Sequence, residues 1–260
     1  MKTKLLSLIL SFIAIAPFLF AEPTPHGGLP PAVNYQLVFS DDFSTDPNTN
    51  GQWTVYRRQG NSNEEGYWDP TQQVWYLTTQ AINLATAAFA NYELTAKVWK
   101  VDFRYKVDNG PQGADGFVFM FYKDKSAYTL HPPDSGTYMA FQTRNSDGSD
   151  NPVRGYGLHF DTYQYSGCDP VLENYVAVAQ DIICKSLIYR PYDKVDDNVW
   201  HSVEFTFDHG ELACTIDGKT VHGFTLCNPR YGATGIGFGA GTGSYVSNQI
   251  IDDFQIWVAD

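Results

Sequence analysis

The sequence predicts an all-β fold, a two-layer sandwich of antiparallel sheets, and three observations carry that reading. Apolar and polar residues alternate over several short runs, no stretch of twelve residues has a helical period, and Gly-rich turn clusters separate the runs at short intervals.

The first residues stand apart from that fold. Lys2 and Lys4 precede an apolar run from Leu5 to Phe20, broken by Ser7, Ser11 and Pro17 and followed by Ala21 and Glu22-Pro23-Thr24-Pro25. This is the pattern of a secretory signal peptide over residues 1–21, with cleavage expected after Ala21 and an extracellular destination. A membrane anchor is the weaker reading, because the run is shorter than a span of about 20 residues and Pro17 interrupts it. Residues 22–31 form a Pro/Gly-rich leader, and residues 32–260 read as one domain, since all-β domains of about 200–250 residues are routinely single. The mature chain is expected to carry no membrane span.

Within that domain Val101, Phe103, Tyr105 and Val107 alternate with Asp102, Arg104 and Lys106, which predicts a strand with one buried face. Val203, Phe205 and Phe207 alternate in the same way, as do Phe254, Ile256 and Val258 at the C-terminus. Phe117 to Tyr122 is continuously apolar, as expected of a strand buried on both faces. Asp217-Gly218 between two strand-like runs predicts a hairpin, and Asn109-Gly110-Pro111, Asn145 to Ser149 and Gly239 to Gly243 read as turns.

Without residues 1–21, which hold two lysines and no acid, 15 basic residues stand against 29 acidic ones, a net charge of −14. Such a surface repels phosphate backbones and anionic lipid, which argues against nucleic-acid or membrane-surface binding and leaves calcium and neutral ligands open. The four cysteines, Cys168, Cys184, Cys214 and Cys227, show no C-x-x-C spacing, so a zinc site is not expected. In an exported chain they can pair in three ways. Cys214 shares a strand face with Leu212 and Ile216, so it reads equally as a buried thiol or as half of a bridge.

Three motifs bear on function: Gly113-Ala114-Asp115-Gly116-Phe117-Val118-Phe119, Gly157-Leu158-His159-Phe160-Asp161-Thr162-Tyr163 and Gly235-Ile236-Gly237-Phe238-Gly239-Ala240-Gly241-Thr242-Gly243. In this order they resemble the L-type (legume-type) lectins of the concanavalin A-like lectin/glucanase fold, a jelly-roll sandwich, over nearly all of the mature chain. The resemblance implies glycan binding. It makes Asp115 the acceptor for sugar hydroxyls behind a cis Ala114–Asp115 peptide, and it brings a backbone N–H from the Ser135-Gly136-Thr137-Tyr138 segment, placed at Gly136. Tyr163, Tyr165 and Tyr245 lie in or beside the loops that would line the site. Their rings can bury the apolar faces of a sugar while keeping a polar tip.

The resemblance also implies a metal loop, and here the sequence departs from the pattern. Asp161, the Tyr163 carbonyl and Asp169 keep calcium-ligand positions. His159 stands in place of a glutamate and Tyr175 in place of a histidine, so no transition metal is expected. Tyr165 replaces an asparagine that binds both calcium and sugar, with Asn174 and Glu173 as nearby substitutes. Two readings remain: Ca2+ held weakly by two carboxylates, carbonyls and water, or a metal-free loop in which Asp161 and Asp169 cap turns. A bridged Cys168 would stiffen such a loop in place of metal. Relatives of this kind imply a Cys184–Cys227 disulfide, leaving Cys168 and Cys214 unassigned.

The same fold hosts β-glucanases, whose retaining chemistry needs two carboxyl groups about 5–5.5 Å apart. The strand that would carry them reads His159-Phe160-Asp161-Thr162-Tyr163-Gln164, with no glutamate. Among the remaining glutamates only Glu64 and Glu65 are adjacent, and neighbours on a strand point to opposite faces. Gly-x-Ser-x-Gly, P-loop and dinucleotide patterns are missing as well, and His159 and His201 read as packed or solvent-facing strand residues rather than acid/base groups. The expectation is a secreted glycan-binding protein and not an enzyme. A polysaccharide hydrolase or lyase, or a degenerate lectin scaffold for protein contacts, is the alternative, and the oligomeric state is open.

Overall fold

The computed structural model describes residues 33–109, 113–171, 173–226 and 233–259. The expected signal peptide and leader, the Gly110-Pro111 turn and Cys227 lie outside the described residues. The chain divides into two units, residues 1–33 and 34–260, and the described strands belong to the second.

Two antiparallel sheets make up this unit, with strands numbered in chain order. One runs β15 (Lys219–Thr225), β14 (Glu211–Ile216), β13 (His201–Asp208), β6 (Val98–Asn109), β17 (Ser247–Ala259), β4 (Val74–Thr78) and β3 (Glu65–Asp69), with β1 (Gln36–Asp41) also pairing along β17. The other runs β12 (Ser186–Pro191), β11 (Tyr175–Gln180), β10 (Gly155–Asp161), β7 (Gly116–Tyr122), β16 (Gly235–Gly241), β5 (Ala85–Ala90) and β2 (Trp53–Arg57). A short hairpin of β8 (Gln142–Arg144) and β9 (Asp150–Pro152) stands apart. The expected all-β jelly-roll sandwich is the architecture found.

The predicted strands fall where the alternation places them. On β13, Val203, Phe205 and Phe207 are buried between exposed Ser202, Glu204 and Asp208. On β6, Val101, Phe103, Tyr105 and Val107 join the core between the sheets. The Asp217-Gly218 hairpin turn has positive φ at both residues, 50° and 72°, which is why Asp and Gly occupy it.

β7 is buried on both faces, as its unbroken apolar run requires. Phe117, Phe119 and Phe121 enter the inter-sheet core, where Phe117 stacks on Phe160 of β10 at 4.4 Å between ring centroids. Such a pair contributes about 0.5–1.5 kcal/mol beyond its area burial. Val118, Met120 and Tyr122 instead pack under the 123–153 connection with Met139, Ala140, Phe141 and Val153. That connection contains a four-residue helix, Ala127–Leu130, and a 3-10 turn, Gly136–Tyr138. It covers the outer sheet face, and its Gly136-Thr137 segment reaches the strand ends beside Asp115.

The cysteine pairing implied by resemblance is corrected by the structure. Cys184 bonds Cys168, not Cys227. The loop after β10 and the turn after β11 carry both cysteines against the same apolar cluster on the outer face, which brings their Cα atoms to 4.6 Å. Cys214 is a buried free thiol.

Candidate functional site

The strand register assembles the site. β7 lies between β10 and β16, and Gly116 pairs with Asp161 on one side and Gly241 on the other. Segments 113–116, 161–163 and 241–243, far apart in sequence, therefore come together at one end of the three central strands of the sheet. Gly116 allows the close approach: its φ is +123°, and an added Cβ would sit 2.1 Å from the Phe160 carbonyl oxygen.

The Ala114–Asp115 peptide is cis, as the resemblance implied. Its Ala114 carbonyl accepts hydrogen bonds from Ser247 Oγ at 3.0 Å and Gln249 Nε2 at 3.1 Å. The Asp115 N–H donates to the Gly241 carbonyl, and the Asp115 carbonyl accepts from the Thr162 N–H. Sequence reasoning missed Ser247 and Gln249. Their spacing of two on β17 marks only a shared face, and nothing in it names Ala114 as the target.

Above these bonds lies a depression of about 430 Å³ whose floor includes Asp115 and Gly243 and whose walls include Thr137, Tyr163, Tyr165 and Tyr245. Asp115 is buried, and its Oδ2 has no hydrogen-bond partner. A Cβ added to Gly243 would come within 3.2 Å of that oxygen, and one on Gly136 within 3.9 Å, so glycine at both positions keeps its approach open. Burial pushes the Asp115 carboxyl up to about 7; the nearby Gly243 backbone opposes the shift and the charge of Asp169 adds to it.

Gly136 lies beside Asp115, but its N–H donates to the Thr242 carbonyl at 3.1 Å. The polar atom that this loop leaves without a partner in the depression is Thr137 Oγ1, a third residue that sequence reasoning did not single out. Tyr163 and Tyr245 pack with ring centroids 5.2 Å apart. Tyr165 and Tyr245 are 49% and 39% exposed, which leaves their rings free for a ligand.

Below the depression the predicted metal residues are arranged differently from a cation shell. Asp161 accepts from the Tyr163 N–H at 3.0 Å and from the Tyr175 hydroxyl at 3.2 Å. Asp169 lies 3.2 Å from the same hydroxyl and accepts from the Tyr165 N–H. Burial, and then the charge of Asp169, push the Asp161 carboxyl well above the ordinary range, and burial raises Asp169 too, so the pair retains a proton where exposed aspartates are ionised. His159 is buried edge-on to Tyr175, and burial lowers its pKa to about 3, which keeps it neutral. Asn174 donates to Asp196 at 2.7 Å, and Glu173 is exposed. Among the described residues no three His, Cys, Asp or Glu side chains are gathered into a group that could hold a metal ion. Both oxygens of each aspartate face N–H or O–H donors, so as arranged these two side chains do not present the free carboxylate oxygens that a resident calcium takes.

Glu64 and Glu65 serve the backbone around them. Glu65 is buried and accepts the N–H groups of Gln59, Asn61 and Ala85, while Glu64 accepts from the Asn61 side chain.

No protein-family model matches the chain, and no curated protein matches it either. Solved structures do match. The chain is 16% identical to the VIP36 exoplasmic/lumenal domain in its Ca2+/Man3GlcNAc-bound form, with a TM-score of 0.59 over 79% of this chain and 85% of that one. It is 15% identical to the lectin from Bauhinia forficata in complex with GalNAc, with a TM-score of 0.62 over 87% of this chain and 98% of that one. The fold is that of the legume-type lectins. A metal-free form of lectin I-B4 from Griffonia simplicifolia shares it at 12% identity, with a TM-score of 0.63 over 84% of this chain and 98% of that one. No helix of the described residues is long and apolar enough to cross a membrane.

Proposed function

We propose that this chain is a secreted lectin-like protein that binds glycans non-covalently in the depression over Asp115. The observation that carries the reading is the unpartnered Asp115 Oδ2 at the floor of an aromatic-walled depression. A buried carboxylate oxygen left without a donor costs free energy, which a sugar hydroxyl donating into it recovers. Thr137 Oγ1 offers a second polar contact, and Tyr165 and Tyr245 offer apolar faces. The lectin fold of the matching structures supports the reading. The apolar segment Leu5 to Phe20 with its charged start supports export, and an exported protein beginning at Glu22 in N-terminal sequencing is the expected result.

Glu64 and Glu65, the one adjacent glutamate pair in the sequence, are engaged in holding their own loop and do not stand as a catalytic pair. A glycan array probed with the wild-type protein and with Asp115→Asn tests the binding reading. The expected result is a defined set of glycans whose affinity falls tenfold or more in the variant, as for a site that loses its paired acceptor. An array without binders, or binding untouched by Asp115→Asn, overturns it.

A further inference from the structure

We propose that the Tyr175 hydroxyl stands in the place of a bridging cation in this chain: it ties Asp161 to Asp169 beneath the depression and, with the Cys168–Cys184 disulfide, makes the site independent of divalent metal. Tyr175 begins β11 opposite Asp161 of β10. Its ring is buried, so the hydroxyl must find partners within the protein, and it lies 3.2 Å from an oxygen of each aspartate. The second oxygen of each is also engaged. Asp161 takes the Tyr163 N–H, and Asp169 takes the Tyr165 N–H.

The consequence runs upward to the ligand site. The two N–H groups belong to two tyrosines of the depression wall, so whatever fixes the aspartates fixes the backbone that presents those rings. Calcium would do this with six to eight oxygens at about 2.3–2.6 Å, and a hydroxyl on a tyrosine ring already lies between the two carboxylates. Cys168 adds a covalent strap one residue from Asp169. Its N–H and that of Asp169 both donate to the Tyr165 carbonyl, closing residues 165–169 into a tight turn. Tyr175 is thus a positioning residue, acting on ligand through Asp161, Asp169 and the wall.

Only the last step, metal-independent ligand binding, rests on the glycan-binding reading, so the test uses the ions alone. The thermal midpoint of the purified protein is measured in excess EDTA and then in millimolar CaCl2 or MnCl2, because an ion bound only by the folded state raises it. The expected result is the same midpoint in all three. A rise of several degrees with either ion, lost in Asp161→Asn, overturns the proposal. Tyr175→Phe is expected to lower the midpoint without metal, and an unchanged midpoint in that variant overturns the tie. Tyr175→His restores a metal-ligating side chain between the same carboxylates and is expected to gain a rise with MnCl2 that the wild type lacks; a variant that folds and gains none counts against the substitution of hydroxyl for cation. Glycan binding that disappears in EDTA refutes this inference and leaves the glycan reading intact. A protein with no glycan ligand and no response to either ion does the reverse.

Discussion

Asp161 pairs with Gly116 across β10 and β7, and this register, more than any single side chain, brings the candidate site together. Gly116→Ala tests it. The new Cβ would meet the Phe160 carbonyl at 2.1 Å in a conformation that L side chains rarely adopt, so strand β7 must shift away from β10. A loss of about 2–5 kcal/mol in urea denaturation is expected, with glycan binding lost as well. A wild-type midpoint would show that the strand ends are not held by this contact.

Asp115 makes stability and binding depend on pH in opposite senses. Its folded pKa, up to about 7, lies above the value of about 3.9 in an unfolded chain, so between these values the folded state holds a proton that the unfolded state releases. Its contribution to stability therefore falls as pH rises through that window, by up to about 1.4 kcal/mol per pH unit. Comparing wild type with Asp115→Asn isolates this slope from that of Asp161 and Asp169, which has the same sign. Ligand hydroxyls need the ionised acceptor, so affinity is expected to rise about tenfold between about pH 6 and 8. Calorimetric titrations at the two pH values check it, and a flat affinity profile refutes the role of the ionised carboxylate.

Much of the fold was legible because period-two alternation marks half-buried strands and an unbroken apolar run marks a doubly buried one: β6, β13 and β7 are where Val101, Val203 and Phe117 place them. The order of three glycine-rich motifs pointed to the strand ends that build the site. Side-chain partnerships across the fold were not legible. Nothing local to Tyr175 says that its hydroxyl reaches both Asp161 and Asp169, and nothing local to Thr137 says that its hydroxyl lacks a partner. The cysteine pairing failed for the same reason, since a shared apolar patch on the outer face, not spacing along the chain, brings Cys168 to Cys184.

His201 supplies a second pH dependence, remote from the ligand. Its ring lies 2.9 Å from Asp197 and 2.7 Å from Asp217, joining the segment before β13 to the β14–β15 turn. Burial disfavours the charged ring, but the two carboxylates outweigh it and the pKa is raised. The sign follows from linkage: this contribution is fully present below the unfolded value of about 6.5 and is lost as pH rises through the raised folded value. His201→Gln is expected to lower the thermal midpoint most in mildly acid buffer and less at alkaline pH. A gap that does not narrow would assign the loss to packing against Tyr105 instead.

The disulfide gives a prediction that separates the observed pairing from the implied one. Peptide mapping without reductant is expected to link the segments carrying Cys168 and Cys184. A linked pair carrying Cys184 and Cys227 would restore the pairing expected from resemblance. Closing a loop with a sequence separation of 16 residues stabilises the fold, so the double variant Cys168→Ser/Cys184→Ser is expected to lose about 3 kcal/mol. Because Cys168 adjoins Asp169, glycan affinity should fall with it, whereas Cys214→Ser should leave both the link and the affinity in place.

Tyr245 distinguishes ring stacking from hydrogen bonding in the wall. It is 39% exposed and packs on Tyr163 at 5.2 Å, so its outer face is available while its inner face is held in place. If a sugar lies against the ring, Tyr245→Ala removes an aromatic contact of about 0.5–1.5 kcal/mol, an affinity loss of roughly 2- to 12-fold. Tyr245→Phe keeps the face and removes only the hydroxyl, so it should bind within about twofold of wild type if stacking is the main contribution. Parallel titrations of the two variants with the tightest array glycan decide the matter. Equal losses in both would move the contact from the ring face to the hydroxyl, and no loss in either would place the sugar on the Tyr165 side of the depression.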